Sequence, residues 1–209
     1  MPTSASQAKL KRAAARDERR QQLIEAAKEV FAQKGYHATT VDDITRAAGV
    51  AKGTFYLYFS EKREIYYEVV RAFLQLIKDA GSSVAREVRS PEQFLARAES
   101  AALEIMRIFT DNKELARLAY RESMGMDPQL ESMLRDFYRD LAEVEAGNIR
   151  LGIELGIFRN VNPLVTAFAH IGMIERVLQQ SLHRDSGLPE PEVIVRELIG
   201  IAYDGLRRR

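Results

Sequence analysis

The sequence predicts an all-α protein of about nine helices, split into an N-terminal three-helix domain and a larger helical remainder. Three observations lead there. From Asp17 onward apolar residues recur at three- and four-residue spacing, and no stretch alternates as a strand does. Ser90-Pro91, Asp127-Pro128 and Asn162-Pro163 each pair a capping side chain with a proline suited to the first helical position. Gly35, Gly49 and Gly156 fall where helices should end.

Residues 1–16 lack an apolar repeat and carry Lys9, Lys11, Arg12 and Arg16, which reads as a flexible basic arm or as a helical extension of the first helix. That first helix is expected over 17–34, its stripe formed by Leu23, Ala27, Val30 and Phe31. Thr40 should cap a second helix that ends at Gly49, with Asp42 and Asp43 in the first turn, where the helix dipole favours acids. A short third helix over 52–59 closes the domain at residue 62. The remainder, 63–209, should hold helices from Ser60 or Glu61 to about Ala80, from Pro91 to about Thr110, and from an Asn112 cap to about Met124. Pro128 to about Leu155, Pro163 to about His183, and a last helix ending near Leu206 after a loop over 184–191 complete the set.

Composition narrows the function. With 209 residues and 46% apolar content the chain can bury a real core. The absence of cysteine removes disulfides, thiolate metal sites and cysteine nucleophiles, and suits a cytoplasmic protein. Three histidines make a histidine-rich metal site unexpected, and no cofactor is called for. The longest uncharged stretch, 160–174, has 15 residues, short of a membrane span of about 20. Ser181, His183 and Asp185 crowd one helix end and cannot form a triad, so an α-helical enzyme or small-molecule carrier remains only the alternative.

The informative segment is Thr39–Lys62, TTVDDITRAAGVAKGTFYLYFSEK. Two short helices flank Gly49-Val50-Ala51, the turn that a helix-turn-helix requires. At helical spacing Phe55 and Phe59 share a buried edge against Ile44 and Ala48. Lys52, Gly53, Thr54, Tyr56, Leu57 and Tyr58 occupy the remaining arc, with no acid among them. Such a face suits phosphates and base edges better than plain solvent.

These residues resemble the TetR family of bacterial transcriptional repressors, through FAQKGYHATTVDDI and AAGVAKGTFYLYFSEKREI. The resemblance covers about residues 18–65. It implies a homodimer that binds a pseudo-palindromic double-stranded operator and is released by a small-molecule effector in the C-terminal domain. It places Thr40 on a phosphate, Lys52, Gly53 and Thr54 in the major groove, Tyr56 and Tyr58 on phosphates or bases, and Lys62 on the backbone. Two positions depart from the family pattern: Ala51 stands where a serine cap is common, and Glu61 puts an acid near the phosphate path.

In the larger domain Met106, Phe109, Tyr120, Met124, Met133, Phe137, Phe168, His170 and Met173 are pocket candidates, although such a stripe is usually core. Gly147 and Gly152 sit inside a helix and need a packing reason. Phe168, Ile171, Ile174 and Leu178, with Ile194, Leu198 and Ile201 on the last helix, could form a four-helix bundle between two subunits. The same faces could instead bury each other within one subunit. The pocket's apolar character suggests a hydrophobic effector.

Net charge gains meaning once divided. The whole chain is +1, but residues 1–62 hold 11 Lys+Arg against 7 Asp+Glu, while 63–209 hold 20 against 23. The positive excess lies with the helix-turn-helix, which leans modestly toward a DNA partner, and the motif rather than the charge decides.

Overall fold

The computed structural model describes residues 4–122, 127–183 and 185–206; the side chains at 4–5, 8–10, 12 and 118–122 lie outside that description. Among the described residues there are nine helices and no β-strand. They are α1 (Ser4–Ala38), α2 (Val41–Ala47), α3 (Lys52–Tyr56), α4 (Lys62–Ser82), α5 (Pro91–Asp111), α6 (Lys113–Glu122), α7 (Pro128–Glu154), α8 (Pro163–Ser181) and α9 (Pro191–Asp204). Two compact units emerge, Met1–Ala72 and Phe73–Arg209. The division falls within α4 rather than at its start, because α4 is one helix whose first half belongs to one unit and whose second half belongs to the other.

In the first unit the helical pattern of α1 reaches back through residues 4–16, well before Asp17. At its other end Gly35 takes φ 74°, ψ 164°, a backbone conformation open to glycine, and the chain bends toward α2. Leu23, Ala27, Val30 and Phe31 are buried with Ile44, Ala48, Phe55 and Phe59, as the periodicity predicts. From α4, Ile65, Tyr66, Val69 and Val70 are buried in the same unit.

In the second unit the alanines Ala142 and Ala146 of α7 and Ala167 of α8 are buried together with Ile149 where the two helices meet. A separate cluster gathers Val84, Phe94, Ala98, Ala101, Phe158 and Leu206. Side-chain caps start α5, α7 and α8 at Ser90, Asp127 and Asn162, each followed by its proline. Asn112, expected to cap α6, sends its side-chain amide back to the Ile108 carbonyl near the end of α5. Glu190 precedes α9 without a side-chain cap. No helix among the described residues is long and apolar enough to cross a membrane.

Gly152 has a packing reason to be glycine. Gly156, at φ 72°, turns the chain back so that the N–H groups of Ile157 and Phe158 donate to the Gly152 carbonyl, at 2.9 and 3.1 Å. The Phe158 ring then fills the space above residue 152, where a Cβ would lie 2.3 Å from ring carbons. That ring is itself held by Phe94 and Tyr203, with centroids 5.6 and 5.2 Å away. Gly152→Ala should therefore destabilise the protein by about 1–3 kcal/mol in thermal or urea denaturation. An unchanged midpoint would show that the ring moves aside freely. Gly147 has open space around it, so packing does not require it.

Candidate nucleic-acid interface and ligand cavity

The short α3 is held from below by aromatic packing. Phe55 and Phe59 are buried with ring centroids 5.6 Å apart, and Arg20 lies over the Phe59 ring at 5.2 Å while pairing with Glu68 at 2.9 Å. From α1, Gln22 Nε2 donates to the Ala48 carbonyl at 2.7 Å, fixing the end of α2 where Gly49 turns with φ 64°. Only residues 52–56 are helical, shorter than the expected 52–59, and Ala51 offers no side-chain cap.

This support leaves the outer side of α3 open. Tyr56 is 53% exposed and Leu57 72%, while Lys52 and Gly53 are exposed and Thr54 and Tyr58 half-buried. No acid lies within 52–60. One approaches from α2: Asp42 pairs with Lys52 at 3.0 Å, which raises the pKa of that lysine. Both partners are largely exposed, so the pair is weak and Lys52 can exchange it for another anion.

Thr40 caps α2 as expected, in a reciprocal box with Asp43. The Asp43 N–H donates to Thr40 Oγ1 at 3.2 Å, and the hydroxyl donates to Asp43 Oδ2 at 2.8 Å. Lys34 donates to the other carboxylate oxygen at 2.7 Å and, together with Thr40, holds the Asp43 carboxyl far below the usual range. The cap thus engages the hydroxyl proton that a phosphate contact from Thr40 needs.

Lys62 has partners within the unit that its local sequence does not announce. Its ammonium is turned into the unit, donating to the carbonyls of Tyr36 at 2.7 Å, Thr39 at 2.6 Å and His37 at 3.4 Å, and lying over the Tyr36 ring at 4.5 Å. Burial lowers its pKa. Its donors face the turn between α1 and α2 rather than a phosphate outside.

The second unit contains a cavity of about 470 Å³, within the range that holds a drug-sized molecule. Residues of α4 and α5, among them Phe73, Ile77, Met106 and Phe109, give it apolar walls. Facing helices α7 and α8 add polar groups. His170 Nδ1 lies 2.9 Å from Glu145 Oε1, and Tyr138 donates to Glu175 Oε1 at 2.8 Å. Beside them on α9, burial and the charge of Glu145 raise the pKa of Tyr203.

Of the sequence-predicted pocket residues, Met106, Phe109, Phe137 and His170 line this cavity. Met133 and Met173 are half-buried but absent from its wall, and Phe168 points away at 50% exposure. The side chain of Tyr120 and all of Met124 lie outside the described residues. The interface set divides likewise. Ile171, Ile174, Leu178 and Leu198 line the cavity, and Ile194 is buried beside Leu178 in the same unit, so these five pack within one subunit. Phe168 and Ile201, the latter 62% exposed, remain on the surface with Leu164 and Val165. Among the described residues no three His, Asp or Glu side chains gather as a metal site.

Comparison with known proteins agrees with this geometry. Residues 23–69 match the model of the bacterial regulatory proteins, tetR family. Over 191 residues the chain is 26% identical to YdgC, an uncharacterized HTH-type transcriptional regulator of Bacillus subtilis, spanning 90% of this chain and 93% of that one. It is 30% identical to the HTH-type transcriptional repressor KstR2 of Mycobacterium tuberculosis, over 68% of this chain and 70% of the relative. The chain belongs to the TetR family of bacterial transcriptional regulators. A regulator from Saccharomonospora viridis, solved in complex with choline, shares the TetR fold at TM-score 0.77 and 22% identity, over 92% of this chain and 100% of that one. These relatives are transcriptional regulators. The matched segment runs from Leu23 on α1 to Val69 on α4, the stretch whose aromatic and aliphatic side chains support α3.

Among the cavity residues that a methionine and aromatic stripe passes by are Glu145, Asn148 and Glu175. A signal for one of them existed, since Glu175 ends the longest uncharged run of the sequence.

Proposed function

We propose that this TetR-family chain is a ligand-responsive repressor, which binds a pseudo-palindromic operator as a homodimer and leaves it when a small molecule occupies the cavity of the second unit. The observation that carries the reading is the outer side of α3, where Lys52, Gly53, Thr54, Tyr56 and Tyr58 stand open or half-open without an acid in the helix. Such a helix presents donors to phosphates and base edges together, which orients a protein and lets it read sequence. Gly53 adds close approach, since it has no side chain to hold the backbone away from a groove.

In this reading the first unit binds DNA and the second carries the effector site and the dimer contact. Two copies related by a two-fold axis would place two α3 helices one helical turn apart, about 34 Å, in successive major grooves. The surface for pairing is the outer side of α8, with Leu164, Val165 and Phe168, together with Ile201 of α9. A cavity of about 470 Å³ with largely apolar walls suits a small, mainly hydrophobic effector.

The test is operator binding to the DNA upstream of the protein's own gene, by footprinting and fluorescence anisotropy at physiological salt. Tyr56→Ala should weaken specific binding by about 5- to 150-fold, equivalent to roughly 1–3 kcal/mol, with the circular dichroism spectrum unchanged. A variant that footprints as well as the parent would place the recognition surface elsewhere.

A further inference from the structure

We propose that the cavity takes an amphipathic cation, a molecule carrying one amine or quaternary ammonium on an apolar body, with Glu175 as its counter-ion. The inference rests on the reading of this cavity as the effector site and names its ligand class.

The cavity is two-sided. Phe73, Leu74, Ile77, Met106 and Phe109 form a wall that offers no charge. Opposite, α7 and α8 bring in Glu145 and Glu175, two carboxylates held in fixed positions, besides Glu131, which pairs with Arg135. Glu145 is spanned by His170 Nδ1 at 2.9 Å on one oxygen and Asn148 Nδ2 at 3.3 Å on the other. Asn148 is anchored in turn by the Gly81 carbonyl at 3.3 Å. Both oxygens of Glu145 thus have partners within the protein.

Glu175 differs. Tyr138 Oη and Gln179 Nε2 donate to it at 2.8 and 2.9 Å, both to Oε1. These donors are neutral, and among the described residues no cation lies within ion-pair distance of Glu175. The wall's arginine, Arg135, is paired along its own helix with Glu131 at 3.5 Å. The carboxylate is therefore oriented and half-buried, and Oε2 accepts no bond from the described residues.

Charge decides between ligand classes. A fatty acid or other anion entering this space would bring a further negative charge beside two carboxylates while losing its water. A neutral hydrophobe would strip water from Glu175 and give nothing back. A cation supplies the missing charge. Its apolar body would meet the α4 and α5 wall, and the aromatic rings of Phe137, Tyr138 and Tyr203 on the polar side favour an ammonium over their faces.

The experiment is calorimetric titration and thermal shift of the full-length protein with three probes of one chain length: decyltrimethylammonium, decanol and decanoate. The cation should bind at least about tenfold tighter than either of the others. Glu175→Gln, which keeps an acceptor for Tyr138, should remove that preference and leave decanol binding unchanged. Equal binding of all three probes, or a preference for decanoate, would overturn the cation class while leaving an effector cavity in place. Binding by none of them would overturn both readings. The probe comparison on the parent protein stands even where the Glu175 variant fails to fold.

Discussion

Phe168→Glu is expected to turn the proposed homodimer into a monomer without unfolding it. Phe168 is 50% exposed on α8, next to Val165 at 67%, and Ile201 of α9 adds an apolar side chain that is also mostly exposed. A patch of large apolar side chains on a charged protein is a pairing surface in waiting. In a two-fold interface each residue near the axis meets its own copy or a close neighbour, so one substitution introduces two like charges into one desolvated region. The dimer should weaken by at least about 100-fold, close to 3 kcal/mol. Sedimentation velocity at micromolar concentration would then find a species near the chain mass of 23.7 kDa. Operator affinity should fall in parallel, because two half-sites no longer act at the effective concentration that linkage provides. A variant that sediments as the parent does would move the interface off α8.

Lys62→Met should have the second large effect, and its character separates two roles for this lysine. If Lys62 held a phosphate, the variant would keep its stability and lose about one unit of salt dependence per lost contact. The observed geometry predicts the opposite. The ammonium answers the carbonyls of Tyr36 and Thr39 and lies over the Tyr36 ring, in a cluster where Phe31 and Tyr66 stand 5.8 and 4.7 Å from that ring. Removing it leaves carbonyl oxygens without their charged donor, at about 2–3 kcal/mol. Melting should fall by about 4–12 °C. Operator binding should weaken because the α1–α2 turn loses its anchor, while the slope of affinity against salt stays that of the parent. A stable variant with a reduced slope would restore the phosphate role.

Local chemistry made much of this fold legible in the sequence. A capping side chain followed by proline marks the starts of α5, α7 and α8, because both features act within one turn. The core of the first unit was equally readable, since Phe55, Phe59, Ile44 and Ala48 follow helical spacing around one glycine turn. What local pattern does not carry is anything that needs a partner distant in the chain. Lys62 reaches carbonyls 23 to 26 residues away, and nothing near it in sequence announces that. Helix α8 is apolar around most of its circumference, so periodicity cannot say which side faces the subunit and which faces out. Five of the seven interface candidates line the cavity or pack beside it, and Ile171, Ile174 and Leu198 among them stay half-buried. The cavity showed a similar limit: its distinguishing groups are carboxylates bonded across α7 and α8, and apolar stripes pass them by.

The seat of the Phe158 ring over Gly152 also bears on how this sequence can drift. Two positions that share one volume do not vary independently: any side chain at 152 must displace the ring at 158. The ring in turn cannot shrink without loosening Phe94 and Tyr203, which lean on it. Change at this corner is therefore easiest in pairs, so that residue 152 constrains residue 158 although it contributes no side chain.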